Sequence, residues 1–151
     1  MSPLAAALWS HAMESNHTGG CLCGAVRFRI GADPLLARLC WCRLCQSLAA
    51  GNATVNLVFP SDQVEVGGEV RWYESVAESG NAMARGFCPT CGTPIFSKTE
   101  ARPHIVIVRA GALDDPELLP PQGTIWTYEA PGWAHIDPDL PQFPRQPPPA
   151  T

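Results

Sequence analysis

Seven cysteines in a chain of 151 residues fall into a group of four and a group of three. Two closely spaced pairs, Cys21-Leu-Cys23 and Cys88-Pro-Thr-Cys91, can supply four thiolates. One short stretch, Cys40-Trp-Cys42-Arg-Leu-Cys45, supplies three more. Four thiolates close a tetrahedral zinc site, whereas three leave one coordination position open to water or to a substrate atom. The spacing therefore predicts two Zn²⁺ ions per chain, one structural and one potentially reactive.

The spacing suits metal ligation for a geometric reason. Two sulfurs on one tetrahedral zinc lie roughly 3.8 Å apart, as follows from a Zn–S bond of about 2.3 Å. A step of two residues places both side chains on one face of an extended segment, because side chains alternate along a strand. In the second pair, Pro89 fixes the φ of a turn, and Gly92 allows the positive φ that returns the backbone toward the sulfurs. Neither pair closes a site alone, so we expect the two pairs to meet across the fold.

Three other roles for the cysteines fit the sequence less well. Cysteine is often a small buried apolar residue, but that role does not explain such close clustering. A disulfide framework would leave one of the seven thiols unpaired, and the apolar stretch 4–9 is very short and has no basic residue before it, unlike a secretion signal. A thioredoxin-like pair would open a helix in a β-α-β unit, and no such pattern surrounds Cys88 and Cys91.

Short strands are the elements that must position these cysteines. Residues 26–30 alternate apolar and basic side chains, the period-two pattern of a half-buried strand, and residues 104–109 form the clearest buried strand. Further predicted strands cover residues 35–39, 53–59, 82–87, 94–96 and 124–128. Many short strands separated by glycine and proline predict an all-β, mainly antiparallel fold with little helix.

Two further elements are predicted from local signals. Residues 64–66 and 70–73, joined through Gly67-Gly68, predict a β-hairpin. Residues 43–50 predict one or two helical turns that end at Gly51. The cysteine triad itself is expected on one continuous loop.

Length and composition predict a single domain. We expect a flexible lead over residues 1–16, a zinc-binding domain over 17–143 and a disordered, proline-rich tail over 144–151. The net charge is −4, whereas nucleic-acid-binding proteins usually carry an excess of basic residues. No run approaches the roughly 18 apolar residues that span a bilayer. We therefore expect a cytoplasmic protein with neither a nucleic-acid nor a membrane partner.

Three stretches of the sequence also carry a family resemblance: residues 19–28 (GGCLCGAVRF), the cysteine triad, and residues 85–96 (RGFCPTCGTPIF). Residues 111–116 (GALDDP), 125–126 and 133–143 agree as well. On these motifs the chain resembles the glutathione-dependent formaldehyde-activating enzyme family over roughly residues 17–143. The resemblance implies a β-tent fold of antiparallel sheets pinned by zinc. It implies a structural ion held by Cys21, Cys23, Cys88 and Cys91, and a catalytic ion held by Cys40, Cys42 and Cys45.

Two residues depart from the pattern of that family. Members often carry histidine between the first two cysteines of the triad, and here Trp41 stands in its place. Histidine is also frequent at the position occupied by Thr124. If either histidine serves proton transfer or substrate contact, the activity or the substrate of this protein differs from that of its relatives.

The chemistry of a zinc ion with three thiolates favours a soft ligand. Three thiolates leave the zinc unit with a formal charge of −1, which weakens its Lewis acidity relative to a site of three histidines. A substrate thiol can take the open position and lose its proton on binding. The thiolate can then add to an aldehyde carbon, or a carbon–sulfur bond can break in reverse. Together with the resemblance, this predicts a carbon–sulfur lyase-like enzyme that acts on glutathione or a related thiol and its aldehyde adduct.

A glutathione-like ligand carries carboxylates, so cations should line its pocket. Arg43 within the triad and Arg85 beside the second pair are the candidates by proximity in sequence, although each could also be a solvated surface arginine. Trp41, Trp126 and Trp133 are candidates for the walls, although large aromatic side chains are more often core.

Two other classes of function stay open at the level of sequence. The first is a non-catalytic, zinc-stabilised interaction module, in which both metals are structural. The second is thiol-based redox or metal sensing through the triad, with reversible oxidation and zinc release. An exchangeable position at the second zinc separates the enzyme from the module, because only the enzyme needs it.

Overall fold

The computed structural model describes residues 15–77 and 79–148. Strands predominate in these ranges, and the predicted all-β class, mainly antiparallel with little helix, is confirmed. The strands are β1 (His17–Gly20), β2 (Arg27–Ile30), β3 (Leu36–Cys40), β4 (Thr54–Pro60), β5 (Val64–Gly67), β6 (Arg71–Val76), β7 (Ala82–Phe87), β8 (Pro94–Thr99), β9 (Ile105–Arg109) and β10 (Thr124–Ile125). A short helix, α1, covers Arg43–Leu48, and 3₁₀ turns cover Ser61–Gln63, Ala110–Ala112 and Thr127–Glu129.

The described strands form two sheets. In the smaller sheet, β2 lies between β1 and β5, and both pairings are antiparallel. The larger sheet has the order β10-β3-β4-β9-β8-β7-β6, and every pairing is antiparallel except that of β10 with β3. Within the described ranges, no helix has the length and apolar character that a membrane span requires.

Side chains from both sheets form one apolar core. Phe28 and Ile30 of β2 pack with Leu57 and Phe59 of β4, and each of the four is at most 2% exposed. Phe28 also contacts Phe96 of β8, with ring centres 5.2 Å apart. Full burial of a side chain of this size contributes roughly 1.5–3 kcal/mol. The alternate residues of β2 therefore face the core, as the pattern over residues 26–30 predicts.

The larger sheet uses its two faces differently. Along β4, Leu57 and Phe59 belong to the core, whereas Asn56 and Val58 line a cavity on the opposite side. The same alternation runs through four neighbouring strands, because successive strand residues point to opposite faces. We call the side with the cavity the cavity face; its strand residues include Leu36, Arg38, Cys40, Met83, Arg85, Ser97, Thr99, Ile107 and Arg109.

The hairpin predicted over residues 64–73 is wrong. β5 pairs with β2 in the smaller sheet, and β6 pairs with β7 in the larger sheet. Gly68 has a φ of +93°, and a Cβ there would lie 2.0 Å from the carbonyl oxygen of Ala25. The glycine pair therefore lets the chain cross closely over the start of β2 between the sheets, instead of turning back on itself.

Two predicted strands differ from the observed strands by three residues at one end. The strand predicted over residues 124–128 ends at Ile125, because Trp126 adopts a left-handed φ of 58° and a 3₁₀ turn follows. The strand predicted over residues 94–96 continues to Thr99. The helix predicted over residues 43–50 is observed as α1, and positive φ values at Ala50 and Gly51 follow its end.

The ends of the chain are described only in part. Residues 1–14 of the predicted lead and residues 149–151 of the predicted tail lie outside the described residues. Gln146 accepts a hydrogen bond of 3.2 Å from Trp126 Nε1, and the Arg145 guanidinium lies 4.9 Å from the ring centre of Tyr128. The boundaries at residues 16 and 143 stay predictions.

Candidate metal centres and active site

The first cysteine cluster joins two loops from different sheets. Cys21 and Cys23 lie between β1 and β2, and Cys88 and Cys91 lie between β7 and β8, with all four sulfurs within 4.8 Å of one another. The sulfurs of Cys21 and Cys23 are 3.6 Å apart, and those of Cys23 and Cys88 are 3.8 Å apart. These distances match the roughly 3.8 Å expected for two thiolates on one zinc ion. The structure thus brings together the two pairs that the spacing predicts.

Two similar turns shape this cluster. The Gly24 N–H donates to the Cys21 carbonyl, and the Gly92 N–H donates to the Cys88 carbonyl, over 3.2 and 2.9 Å. Both glycines have positive φ values, +79° and +78°. Only glycine takes this conformation without a steric cost. Each glycine therefore lets its loop curl around its own pair of sulfurs.

Hydrogen bonds favour the thiolate form at two of the four cysteines of this cluster. The Thr93 hydroxyl lies 3.1 Å from Cys91 Sγ, and its hydrogen bond is the main cause that lowers the pKa of Cys91 to about 5. The Val26 N–H donates to Cys21 Sγ over 3.3 Å and is the main cause that lowers the pKa of Cys21. Because the thiolate is the form that binds a metal, these two side chains are prepared for ligation.

The second cluster lies where a strand passes into a helix. Cys40 ends β3, Cys42 is the N-cap of α1, and Cys45 lies in the first turn of α1. All three side chains are buried, and their sulfurs lie within 4.8 Å of one another. Among the described residues, no fourth His, Cys, Asp or Glu belongs to this group. The triad therefore comes from a continuous stretch, as predicted, but a strand end and a helix hold it rather than a loop alone.

Gln46 fastens the triad to the segment that follows β10. Its Nε2 donates to the carbonyls of Trp41 and Glu129, over 2.7 and 3.0 Å, and its Oε1 accepts from Arg43 Nη1 over 2.6 Å. The Arg43 N–H also donates to the Glu129 carboxylate over 2.7 Å. Arg43 does not line the cavity described below, so its predicted contact with substrate stays a prediction. Its observed contacts support the loop of the triad.

A cavity of about 180 Å³ opens beside the triad on the cavity face. Its lining includes all three triad cysteines and none of the other four. Among the described residues, no Asp or Glu lines it, and four arginines do: Arg38, Arg85, Arg102 and Arg109. Positive charge within low-dielectric walls concentrates anions. The cavity therefore suits a ligand with negative groups, and it contains the predicted Arg85.

Arg109 is a cavity residue that the sequence did not single out. It is 8% exposed, its Nη1 donates to Asn56 Oδ1, and its Nη2 donates to Ser97 Oγ. Burial lowers its pKa, and the charge of Cys45 opposes that effect. Its Nε has no hydrogen-bond partner, and the same holds for Nε of the equally buried Arg85. The one signal in the sequence is an arginine at the end of an apolar strand.

The two departures from the family pattern lie outside the cavity lining. Trp41 is buried, and its ring meets that of Trp133 edge to face with centres 6.2 Å apart. Thr124 is fully buried in β10. Of the three candidate tryptophans, Trp126 alone is among the lining residues. Neither departure therefore places a new side chain in contact with a ligand of this cavity.

A larger cavity, of about 600 Å³, contains no cysteine. It lies against Val66 of β5 and against Trp72 of β6, whose ring stacks on Phe96. Lys98 Nζ lies 4.1 Å from the ring centre of Trp72. Its size alone does not make this cavity the reactive site, since none of the candidate metal ligands lines it.

Comparison with known proteins gives a match over most of the chain. The family model of the glutathione-dependent formaldehyde-activating enzyme matches residues 16–129. A protein of Halomonas elongata, provisionally named a glutathione-dependent formaldehyde-activating enzyme, is 30% identical over 125 residues, which cover 79% of this chain and 80% of that protein. The crystal structure of a Rhodobacter sphaeroides protein has the same fold, with a TM-score of 0.53 at 17% identity, over 83% of this chain and 98% of that one.

Proposed function

This chain belongs to the family of glutathione-dependent formaldehyde-activating enzymes, and from that premise we propose a zinc-dependent enzyme that makes or breaks a carbon–sulfur bond. Its substrates are glutathione, or a related thiol, and the aldehyde adduct of that thiol. The observation that carries the proposal is the position of three buried cysteine sulfurs at a cavity lined by four arginines. A purely structural metal needs no such cavity.

The donor sets fit two different zinc ions. Four sulfurs at van der Waals separation suit a closed structural ion at Cys21, Cys23, Cys88 and Cys91. Three sulfurs suit a second ion at Cys40, Cys42 and Cys45. When bound there, zinc would supply an open coordination position at which a thiol is held as its thiolate.

The residues around the triad position the thiol and exclude water. Val58 and Ile107 give the cavity apolar walls next to the polar groups. The Arg85 Nη1 donates to the Ser75 hydroxyl over 2.6 Å, and its buried Nε has no partner among the described residues, so the guanidinium retains a donor for a ligand carboxylate. A guanidinium–carboxylate pair in a buried site is strong because both groups are charged. Arg85 therefore serves as a binding residue for the carboxylates of glutathione.

The first experiment compares the Cys42→Ser variant with the unaltered protein. Turnover of glutathione with formaldehyde should be lost, because the hydroxyl is a poor substitute for a thiolate ligand. Zinc per chain should fall from two to one, and the far-UV circular dichroism should be unchanged. The Arg71→Gln variant, altered at an exposed position of β6, should retain full turnover. Undiminished activity in Cys42→Ser would contradict the proposed function.

A further inference from the structure

A segment near the carboxyl end of the chain forms part of the wall of the cavity beside the triad. Residues 141–147 run along β10 and the 3₁₀ turn after it: the Thr127 N–H donates to the Phe143 carbonyl and the Tyr128 N–H donates to the Pro144 carbonyl, both over 3.1 Å. Phe143 also packs against the apolar cluster that contains the triad cysteines. The match to the family model ends at residue 129. The contacts of this segment therefore add to the site a wall that the matched residues do not include.

Gln146 is the residue of this segment that lines the cavity. Its Oε1 accepts a hydrogen bond of 3.2 Å from Trp126 Nε1. The indole nitrogen can only donate, so the oxygen of the amide must face it. This contact fixes which end of the amide Trp126 holds. It leaves the two N–H donors of Gln146 Nε2 for another acceptor.

Gln146 Nε2 has no acceptor among the described residues. Two other glutamines differ in this respect. Gln46 Nε2 donates to two backbone carbonyls, and Gln142 Nε2 donates to the Asp137 carbonyl over 3.5 Å. The Gln146 side chain is also exposed. Its amide donors are therefore available to a ligand that enters the cavity.

Trp126 connects Gln146 with the triad. It is 5% exposed and belongs to the same apolar cluster as Cys40, Cys42 and Cys45. Its left-handed φ of 58° is unusual for a bulky side chain. Such conformations persist only where the surrounding structure imposes them, and they are concentrated at ligand sites. A single side chain thus links the reacting sulfurs to the free amide of Gln146.

The chemistry of the thiol indicates what Gln146 binds. An uncharged amide donor suits an uncharged acceptor, whereas a carboxylate of glutathione pairs more strongly with a guanidinium such as that of Arg85. In a cysteinyl peptide, the carbonyl carbon and the amide nitrogen of the cysteine each lie three bonds from the sulfur. The amides that flank the cysteine are therefore the polar groups closest to a sulfur that lies at the triad.

We propose, resting on the proposed function, that Gln146 Nε2 donates a hydrogen bond to an amide carbonyl of the thiol. The substrate class is then cysteinyl peptides and other thiols with an amide next to the carbon chain that carries the sulfur. No bond forms or breaks at Gln146, which serves for recognition only. Simple thiols without an amide lack this contact.

The test compares thiols in their enzyme-catalysed addition to formaldehyde, with the spontaneous rate subtracted. Glutathione, N-acetylcysteamine and 3-mercaptopropionamide carry an amide, and 2-mercaptoethanol does not. Gln146→Leu should lower kcat/KM for glutathione and for at least one small amide thiol about threefold to tenfold, the usual effect of losing an uncharged hydrogen bond. The value for 2-mercaptoethanol should not change. Gln142→Leu is the matched control, because Gln142 is exposed in the same segment and does not line the cavity.

A second variant separates recognition of the thiol from support of Trp126. Gln146→Glu retains an oxygen that accepts from Trp126 Nε1 but loses the N–H donors. With the two uncharged amide thiols, which its added charge does not repel, it should lose as much kcat/KM as Gln146→Leu. Zinc per chain, measured for each variant, shows whether the triad is intact.

A binding measurement gives a readout besides activity. In ¹⁵N-labelled protein, the side-chain amide signals of Gln146 are assigned by their disappearance in Gln146→Leu. Titration with glutathione should shift these signals, and titration with 2-mercaptoethanol should not. The corresponding signals of Gln142 should stay in place in both titrations.

Three results would overturn the inference while turnover of glutathione with formaldehyde leaves the proposed function standing. Equal loss with every thiol, 2-mercaptoethanol included, would mean that Gln146 only supports Trp126. Full activity of Gln146→Glu with the amide thiols would mean that its acceptor matters and its donors do not. Unchanged kcat/KM in Gln146→Leu would remove any role in recognition. Absence of turnover with every thiol in the unaltered protein would instead remove the proposed function and, with it, this inference.

Discussion

At the scale of single residues, the cysteines of the two clusters differ in their exposure and in the space beside their sulfurs. In the four-cysteine cluster, Cys23 is exposed and Cys91 is half-buried, yet all four sulfurs lie within 4.8 Å of one another. In the triad, every cysteine is buried, yet the three sulfurs border a cavity. Exposure of the side chains is therefore a poor guide to reactivity here. Under the proposed function, the number of sulfurs and the space beside them distinguish the reactive cluster from the structural one.

Loss of a cysteine should have opposite consequences in the two clusters. Cys88→Ser should prevent stable folding, or lower the unfolding temperature sharply, because apparent binding of structural zinc contributes about 10–16 kcal/mol in small zinc domains. Cys42→Ser should change the unfolding temperature far less. Thermal unfolding followed by circular dichroism, together with zinc per chain, measures both. Similar unfolding temperatures for the two variants would contradict the division into a structural and a reactive site.

The sequence predicts the cysteine clusters but not the arginine beside them. Ligand spacing such as Cys88-Pro-Thr-Cys91 is local, so a tetrahedral metal imposes it on neighbouring residues. The environment of Arg109 is not local, since its partners Asn56 and Ser97 are 53 and 12 residues away along the chain. Strand register alone brings these three side chains together. No pattern within a short window of sequence records that register.

At the scale of elements, the smaller sheet is fastened to the turn that follows β9. Gly19 of β1 forms a bridge with Leu113, and the Asp114 N–H donates to the Thr18 carbonyl. The Asp114 carboxylate accepts from the Thr18 hydroxyl and from Arg27 Nη1 over 2.6 and 3.0 Å. One carboxylate therefore connects β1, β2 and this turn.

The contribution of Asp114 to stability should depend on pH. Its hydrogen bond with Arg27, and secondarily that with Thr18, lowers its pKa below 3.8. A lowered pKa in the folded state means that the stabilisation is complete above the unfolded-state pKa and is lost as the pH falls through the lowered folded-state value. Because both side chains are about half exposed, Asp114→Asn should cost only about 0.2–1 kcal/mol at pH 7. Urea unfolding at pH 7 and pH 4 measures the difference, which should shrink at the lower pH; zinc per chain, measured at both pH values, shows that the thiolate-bound metal is retained.

The exposed Asp139→Asn provides the control for this experiment. It should show no comparable loss at pH 7, because Asp139 lies outside the contacts of the smaller sheet. A loss for Asp114→Asn that is as large at pH 4 as at pH 7 would mean that the stabilisation does not come from the charge of the carboxylate.

The close packing between β1 and the turn after β9 predicts that a larger side chain at Gly19 lowers the stability of the protein. A Cβ at Gly19 would lie 2.2 Å from the Ala112 carbonyl oxygen and 2.3 Å from Phe28 Cζ. Gly19→Ala should therefore lower the free energy of unfolding by about 1–3 kcal/mol or more, the usual range for overpacking. Gly111→Ala is the matched control, because a Cβ there meets no atom within 4 Å. Equal urea midpoints for the two variants would contradict this account of the contact.

The elements that the sequence predicts incorrectly are those whose partners are distant. The alternation of apolar and basic side chains identifies β2, because one face of the strand is buried and the other is not. The Gly67-Gly68 pair, in contrast, is compatible both with a hairpin turn and with a connection between two sheets. β10 is short because its pairing with β3 and the left-handed Trp126 limit it, and both are tertiary features. Local propensity therefore finds the strands but not their neighbours.

At the scale of the whole molecule, the four-cysteine cluster connects the two sheets, since one of its loops joins strands of the smaller sheet and the other joins strands of the larger sheet. Protein purified without added metal should contain two zinc ions per chain. Dialysis against millimolar glutathione should lower this toward one, because only the triad leaves a position open to a thiol. Two ions that persist would favour a closed second site and a structural module. Absence of zinc would contradict the metal assignment for both clusters.

One face of the larger sheet packs in the core and the other lines the cavity, and this separation has a consequence for evolution and design. Each of its central strands contributes alternate residues to the core and to the cavity, as Leu57 and Asn56 do in β4. A substitution at every second position can therefore change which ligand is accepted while the core stays the same. A library restricted to cavity-face positions would explore substrate specificity at little expense in stability. The same separation gives a family with this architecture a route to diversify its substrates without rebuilding its scaffold.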